Sequence, residues 1–394
     1  MGARRLRPAD GGPDRLTGRP PTKLAYLDHA ATTPMRAEAV AAMLPFLSDR
    51  YGNPSGSHAV ARSAQRALDD AREHLADLLG AQPFELVFTS GGTEADNLAV
   101  FGVAAGAGSV LCSAVEHPAV LEACRAAGGR TVGVDRRGVI DLEALYELLD
   151  DKVRLVSVML VNNETGVLQP IESVAALVHE RAPDALVHCD AVQGFAWLDV
   201  AALTGGVDLL SVSAHKFGGP KGVGALVVRD RASLLSPIVH GGPQERERRA
   251  GTQNLAGIVA MAAAADITVR ERETAGSKVA ELSGRLVAGI LGSVPGVHQA
   301  VAPPERIEAI CNLGVEDVEA EELLVVLDEL GVCASAGSAC ASGAIEPSHV
   351  LLAMGLSPAE AKRHVRLSLG HATTSADIEA ALVAFPEAVE RLRA

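Results

Sequence analysis

The sequence predicts an α/β fold: an open, mostly parallel central sheet with helices on both faces. Three observations carry this. Short apolar runs alternate with segments of helical periodicity from about residue 85 to residue 230. The runs Arg154–Val161 and Val207–Val212 are predominantly apolar, as strands covered on both faces are. Polar and glycine residues gather just past the end of run after run, where open α/β sheets bind their ligands.

Length and charge bound the rest. A chain of 394 residues has ample length for a large core and suggests two domains. Aromatic residues are only 3% of a 48% hydrophobic content, so the core must be built from Ala, Val and Leu. A net charge of -14 argues against a general binder of nucleic acid or anionic membranes. No apolar run approaches the roughly 18 residues that span a bilayer, and the N-terminus has no signal-like apolar core. Six cysteines are scattered without a CxxC pair, which reads as thiols in a cytoplasmic protein.

The elements follow in order. Residues 1–22 are rich in Arg, Gly and Pro and read as a disordered extension. A short apolar segment then leads through Asp28-His29 to a Thr-Thr-Pro turn. Helices are expected over 36–47 and over 59–79, the second capped by the loop Asn53–His58 and closed by Gly80. Glu85–Thr89 reads as a strand that runs into Gly91-Gly92-Thr93 and a helix. Strand, glycines, hydroxyl and helix N-terminus in that order suit a phosphate. Strands are expected at Val110–Val115, which ends in Glu116-His117, and at Thr131–Val134. A helix at 141–149 precedes the strand Arg154–Val161, which ends in Asn162-Asn163-Glu164. A helix at Ile171–Arg181 precedes the strand Ala185–Cys189, which ends in Asp190 and is followed by Gln193. Val207–Val212 ends in Ser213-Ala214-His215-Lys216, and after a Gly/Pro-rich loop Ala225–Val228 follows.

Thr93, His117, Asn163, Asp190, Gln193, Ser213, His215 and Lys216 would then share one crevice. Each has an ordinary reading alone: a helix cap, a structural histidine, a lysine reaching solvent. Eight at successive strand ends do not. The chain has six lysines among its 35 basic residues, and Lys216 lies where a buried strand opens into a loop. Lysine, unlike arginine, can lose its proton when desolvated and form a Schiff base. A reactive lysine, a buried aspartate, a phosphate cradle and a ring-stacking histidine together suggest pyridoxal phosphate.

The segments Tyr26–Pro34 (YLDHAATTP), Phe88–Asn97 (FTSGGTEADN), Val115–Leu121 (VEHPAVL), Val161–Gly166 (VNNETG), His188–Gln193 (HCDAVQ) and Ser213–Gly222 (SAHKFGGPKG) carry a resemblance. So do His240–Asn254 (HGGPQERERRAGTQN), Gly337–Gly343 (GSACASG) and Val365–Gly370 (VRLSLG). Over about residues 26–374 the chain resembles cysteine desulfurases, class-V members of the fold type I pyridoxal-phosphate enzymes. The resemblance implies a large cofactor-binding domain at 36–270, joined by an N-terminal segment at 23–35 that belongs with a small α+β domain at 271–394. It implies that Lys216 carries the cofactor, Asp190 pairs with its ring nitrogen, Gln193 bonds its phenolic oxygen and His117 stacks on the ring and moves protons. Gly92, Thr93, Ser213 and His215 would hold the phosphate. Thr252 would reach the phosphate of a partner subunit in a homodimer. Asn163 and Arg366 would hold the substrate carboxylate, and most members of the charge run Glu245–Arg249 read as a solvated loop.

Cys340 lies in a run of small residues that can move. Its thiolate would attack the sulfur of a bound L-cysteine, leaving L-alanine and a Cys340 persulfide for an acceptor. The longer segment after Cys340 resembles the housekeeping subgroup that supplies iron–sulfur assembly and tRNA thiolation. There the same cysteine also touches a nascent cluster on a scaffold protein. Cys112, Cys124, Cys189, Cys311 and Cys333 read as small core residues. Selenocysteine lyase, another class-V enzyme acting on a small amino acid, and a sulfur-relay binding partner using the C-terminal helix are the competing readings.

Overall fold

The computed structural model describes residues 24–105, 108–233, 235–337 and 346–394. The extension expected at 1–22 lies outside them. Among the described residues twelve strands form three sheets. They are β1 (Ala25–Tyr26), β2 (Leu86–Thr89), β3 (Ser109–Ser113), β4 (Arg130–Val132), β5 (Val153–Ser157), β6 (Leu186–Asp190), β7 (Leu209–Ser213) and β8 (Gly224–Val228). After them come β9 (Val297–Gln299), β10 (Ile310–Val315), β11 (Val332–Cys333) and β12 (His364–Ser368).

The central sheet has seven strands in the order β2-β8-β7-β6-β5-β3-β4. Pairing is parallel from β7 to β4, and only β8 runs against its neighbours. Alternation along each strand sends side chains to two cores. Val87, Val110, Cys112, Leu155, Leu209 and Leu226 pack with the helices Gly92–Ala104 and Pro118–Ala126. Leu86, Phe88, Leu111, Val156, Val187, Leu210 and Val227 pack on the opposite face with the helices Ala59–Leu78 and Ile171–Arg181. Both faces are covered, which is why these strands are apolar at most positions.

The helix Leu255–Ser293 runs unbroken for 39 residues. Its first part packs against the helices Ala37–Met43 and Ala59–Leu78, and its last part against the C-terminal helix Ser375–Arg393. The division expected at 270/271 therefore falls inside one rod. Beyond it, β12-β10-β9 form an antiparallel sheet, backed by the helices Ala320–Glu329 and Ser375–Arg393. One contiguous core joins both parts, from Leu111 and Val187 to Leu313 and Phe385.

Several boundaries differ from the sequence reading, each for a local reason. The helix expected over 36–47 is two helices, Ala37–Met43 and Pro45–Ser48, because Pro45 has no N–H to continue the first. The strand expected at 154–161 leaves the ladder after Ser157. Val158 and Leu160 still donate to the carbonyls of His188 and Asp190 at 3.0 and 2.8 Å, and a bridge between Val161 and Leu168 then closes the Asn162–Gly166 turn. Asn162 Oδ1 shapes that turn by accepting from the N–H groups of Glu164 and Thr165, both at 2.9 Å. Glu245 departs from the solvated loop expected around it. It is buried, pairs with Arg72 at 2.7 Å and accepts from Phe88 N at 3.0 Å, tying its loop to β2. No helix among the described residues is long and apolar enough to cross a membrane.

Where β8 passes the start of the helix Gly92–Ala104 the backbones touch. A Cβ on Gly224 would lie 2.7 Å from the carbonyl carbon of Gly91 and 2.7 Å from the oxygen of Val212. Backbone cannot yield as a side chain can, so Gly224→Ala should cost about 1–3 kcal/mol. Thermal or denaturant unfolding of the cofactor-free protein measures it, and a change within error of wild type would refute the close approach.

Candidate active site

The carboxyl ends of β2, β3, β5, β6 and β7 open onto one cavity of about 310 Å³. Gly92, Thr93, His117, Asn163, Asp190, Gln193, Ser213, His215 and Lys216 all line it. Each arrives by a short local device. Ser213 ends β7, and a single 3₁₀ turn, Ala214–Lys216, presents His215 and Lys216. Asp190 ends β6, and its Oδ1 accepts from Val192 N at 2.8 Å. Gly92 begins the helix Gly92–Ala104, whose free N–H groups and partial positive charge face the cavity beside Thr93. His117 caps the helix Pro118–Ala126: its Nδ1 accepts from Ala119 N at 3.1 Å, which leaves the ring proton on Nε2.

A strap formed by residues 25–36 closes the cavity. Lys216 Nζ donates to the carbonyls of Ala30 and Ala31 at 2.5 and 3.0 Å. Gln193 Nε2 donates to the same Ala30 oxygen at 2.8 Å. His215 Nδ1 lies 3.2 Å from Thr32 Oγ1.

Desolvation sets the proton affinities here. Burial, with the nearby positive charge of Arg366, lowers the Lys216 ammonium to about 8. Burial lowers His117 and His215 to about 4, with Lys216 adding to both, so both rings are neutral. Burial raises Asp190 to about 6. A carboxyl pushed up and an amine pushed down within one cavity are what proton-transfer chemistry near neutral pH requires.

Two further carboxyls lie beneath the cavity. Asp96, on the same helix face as Gly92, reaches its wall, and Glu116 precedes His117. Both are fully buried and held well above the usual carboxylate range by burial and then by the charge of Asp190. Asp96 Oδ1 and Glu116 Oε2 have no hydrogen-bond partner among the described residues. Sequence reasoning assigned neither, although the four-residue spacing from Gly92 to Asp96 was a usable signal.

Two expected residues, Arg366 and Thr252, stand apart from the cavity wall. Arg366, on β12, is buried behind Asn163, whose carbonyl it holds at 2.8 Å through Nη1. Thr252 is exposed at the surface, after the loop of Glu245. Cys340 lies outside the described residues. Cys112, Cys124, Cys189 and Cys311 are buried, and Cys333 is partly so.

The cavity fits pyridoxal phosphate. A Cβ on Gly92 would lie 3.0 Å from Val192 Cγ2 and 3.4 Å from Ser213 Cβ, so glycine keeps open the cradle at the helix N-terminus. Lys216 and Asp190 supply an amine and a carboxyl on the walls of the same space.

Comparison with known proteins agrees with this architecture. The family described as "Aminotransferase class-V" matches residues 25–381, and the chain belongs to it. Its fold is that of the fold type I pyridoxal-phosphate enzymes. Within that family the likeness is to cysteine desulfurases. The chain is 42% identical over 377 residues to "Cysteine desulfurase" of Trichormus azollae, covering 94% of each chain. A solved structure titled "NIFS-LIKE PROTEIN" superposes with a TM-score of 0.86 at 33% identity, covering 93% of this chain and 100% of its own. Another, "SspA in complex with cysteine", superposes with a TM-score of 0.77 at 34% identity, covering 89% of this chain and 99% of its own. The chain thus belongs to the cysteine desulfurase group of the class-V family.

Loading of the cofactor requires neutral Lys216. Its rate in ligand-free protein, followed by visible absorbance, should rise with pH to a midpoint near 8. A midpoint near about 10.4, the value of an exposed lysine, would show that the amine is not desolvated.

Proposed function

We infer that this protein is a pyridoxal-phosphate-dependent cysteine desulfurase, converting L-cysteine to L-alanine with transfer of sulfur to Cys340. The observation that carries this reading is the single cavity lined by Lys216, Asp190, His117 and the helix N-terminus at Gly92-Thr93. The likeness to cysteine desulfurases over 94% of the chain supports the substrate. Bound pyridoxal phosphate supplies an electron sink for the bonds at the substrate's α-carbon.

The residues divide the remaining work. Lys216 would hold the cofactor and Asp190 would pair with its ring nitrogen. Thr93, Ser213, His215 and the Gly92 N–H would hold the phosphate, and Thr252 would reach the phosphate in the partner of a homodimer. Gln193 would bond the phenolic oxygen. Neutral His117 would stack on the ring and offer a proton at Nε2. Arg366 and Asn163 orient the substrate carboxylate. The Cys340 thiolate attacks the substrate sulfur: an S–S bond forms, the C–S bond breaks, and the carbon takes a proton to give alanine. The persulfide then passes to a cytoplasmic acceptor, an iron–sulfur scaffold or a tRNA-thiolation protein. The cluster built on such a scaffold is cargo that Cys340 contacts, not a resident metal.

Purified protein given L-cysteine and a thiol reductant should form L-alanine. Cys340→Ala should form none while keeping its yellow cofactor, and Lys216→Ala should lose the visible absorbance of the lysine-bound cofactor. Alanine at the wild-type rate from Cys340→Ala would replace the persulfide route with a lyase reaction. An unchanged spectrum in Lys216→Ala would remove Lys216 from its role.

A further inference from the structure

Asp28 lies in the motif Tyr26–Pro34 and has no part in the reading above. Its Oδ1 is 2.7 Å from Nη2 of Arg366. The same guanidinium donates through Nη1 to the Asn163 carbonyl at 2.8 Å, while its Nε has no partner among the described residues. The Arg366 side chain is 4% exposed, against 20% for Asp28. Backbone contacts fix both residues. Asp28 bridges Ser368, two residues beyond Arg366 on β12, and Arg366 itself bridges Ser335. Tyr26 Oη donates to the carbonyls of Asp28 and Thr32 at 3.0 and 2.9 Å, which pins the turn that carries Asp28.

A buried guanidinium needs a counter-charge, and here an internal carboxylate already supplies one. A second carboxylate brought to the same fork either shares it, against like-charge repulsion, or displaces the first. We propose that Asp28 is a positioning residue acting through Arg366: it holds the fork as an internal carboxylate, and an incoming amino-acid carboxylate binds in competition with it. This rests on the reading of Arg366 as the holder of the substrate carboxylate. The competition weakens the hold on any ligand that brings only a carboxylate, so a substrate must gain the rest of its affinity elsewhere in the cavity. Asp28 has two separable effects. Its hydrogen bond orients Arg366, and its charge opposes the ligand. Asparagine keeps an oxygen for Nη2 and removes the charge.

The test titrates the cofactor-loaded protein with L-alanine and with L-alaninamide, which lacks the carboxylate, following visible absorbance. Asp28→Asn should bind L-alanine about tenfold more tightly and L-alaninamide within about twofold of wild type, the scale of one charge-assisted hydrogen bond. Asp28→Glu, which restores the charge, should return the L-alanine affinity toward wild type. Arg366→Lys should weaken L-alanine selectively, which tests the underlying reading. If Arg366→Lys shows that selective loss and Asp28→Asn binds L-alanine no more tightly than wild type, the competition is refuted while the role of Arg366 stands. If Arg366→Lys shows no selective loss, both fall. A purely structural role for Asp28 would shift the two ligands together, which also refutes the proposal.

Discussion

The strap from Ala25 to Arg36 is the constraint on which the site depends. Its first residues pair with β11 and bridge β12, so it is built into the C-terminal part of the molecule. Its next residues lend the carbonyls of Ala30 and Ala31 to Lys216 and Gln193. Its end returns to the central sheet, where Thr33 N donates to His215 O at 3.1 Å and Arg36 N to Gly218 O at 2.8 Å. A dozen residues thus hold the lysine turn, the N-terminal segment and the second sheet in one register. Main-chain carbonyls suit this task, because a side-chain acceptor beside Lys216 would bring rotamer freedom or a charge of its own.

That closure gives the cavity its electrostatics. Covering Lys216 removes water that would solvate the ammonium, and the same cover neutralises His117 and His215. Asp190 responds in the opposite sense for the same reason. Beneath it, Asp96 and Glu116 are deeper still, and burial and then the charge of Asp190 hold both carboxyls well above the usual carboxylate range. His188 lies among them with its ring held between the hydroxyls of Ser157 and Ser211 at 2.7 and 2.9 Å.

Arg366 shows how the two sheets share one function. It stands on β12 of the smaller sheet, yet its guanidinium ends at the turn after β5 and at the strap. The unbroken helix Leu255–Ser293 and the continuous core join the two parts across which it reaches. A hinge between the two parts would move the fork relative to the cavity that it serves.

The alternation of apolar runs with helical segments determined the α/β class, because strands covered on both faces are apolar at most positions and stand out from the helices between them. The strand-end residues determined most of the cavity wall, because a parallel sheet brings the ends of its strands together whatever lies between them. Motif spacing placed Asp96 within reach but could not show it buried beside Asp190. Tertiary structure alone decided what depends on contacts distant in sequence. The pairing of Asp28 with Arg366 spans 338 residues. The carbonyls that meet Lys216 come from 185 and 186 residues away. Glu245 leaves its charged run to pair with Arg72. Such contacts have no period along the chain. They exist only once the core has brought those backbones together, and the proton affinities of the site follow from that burial.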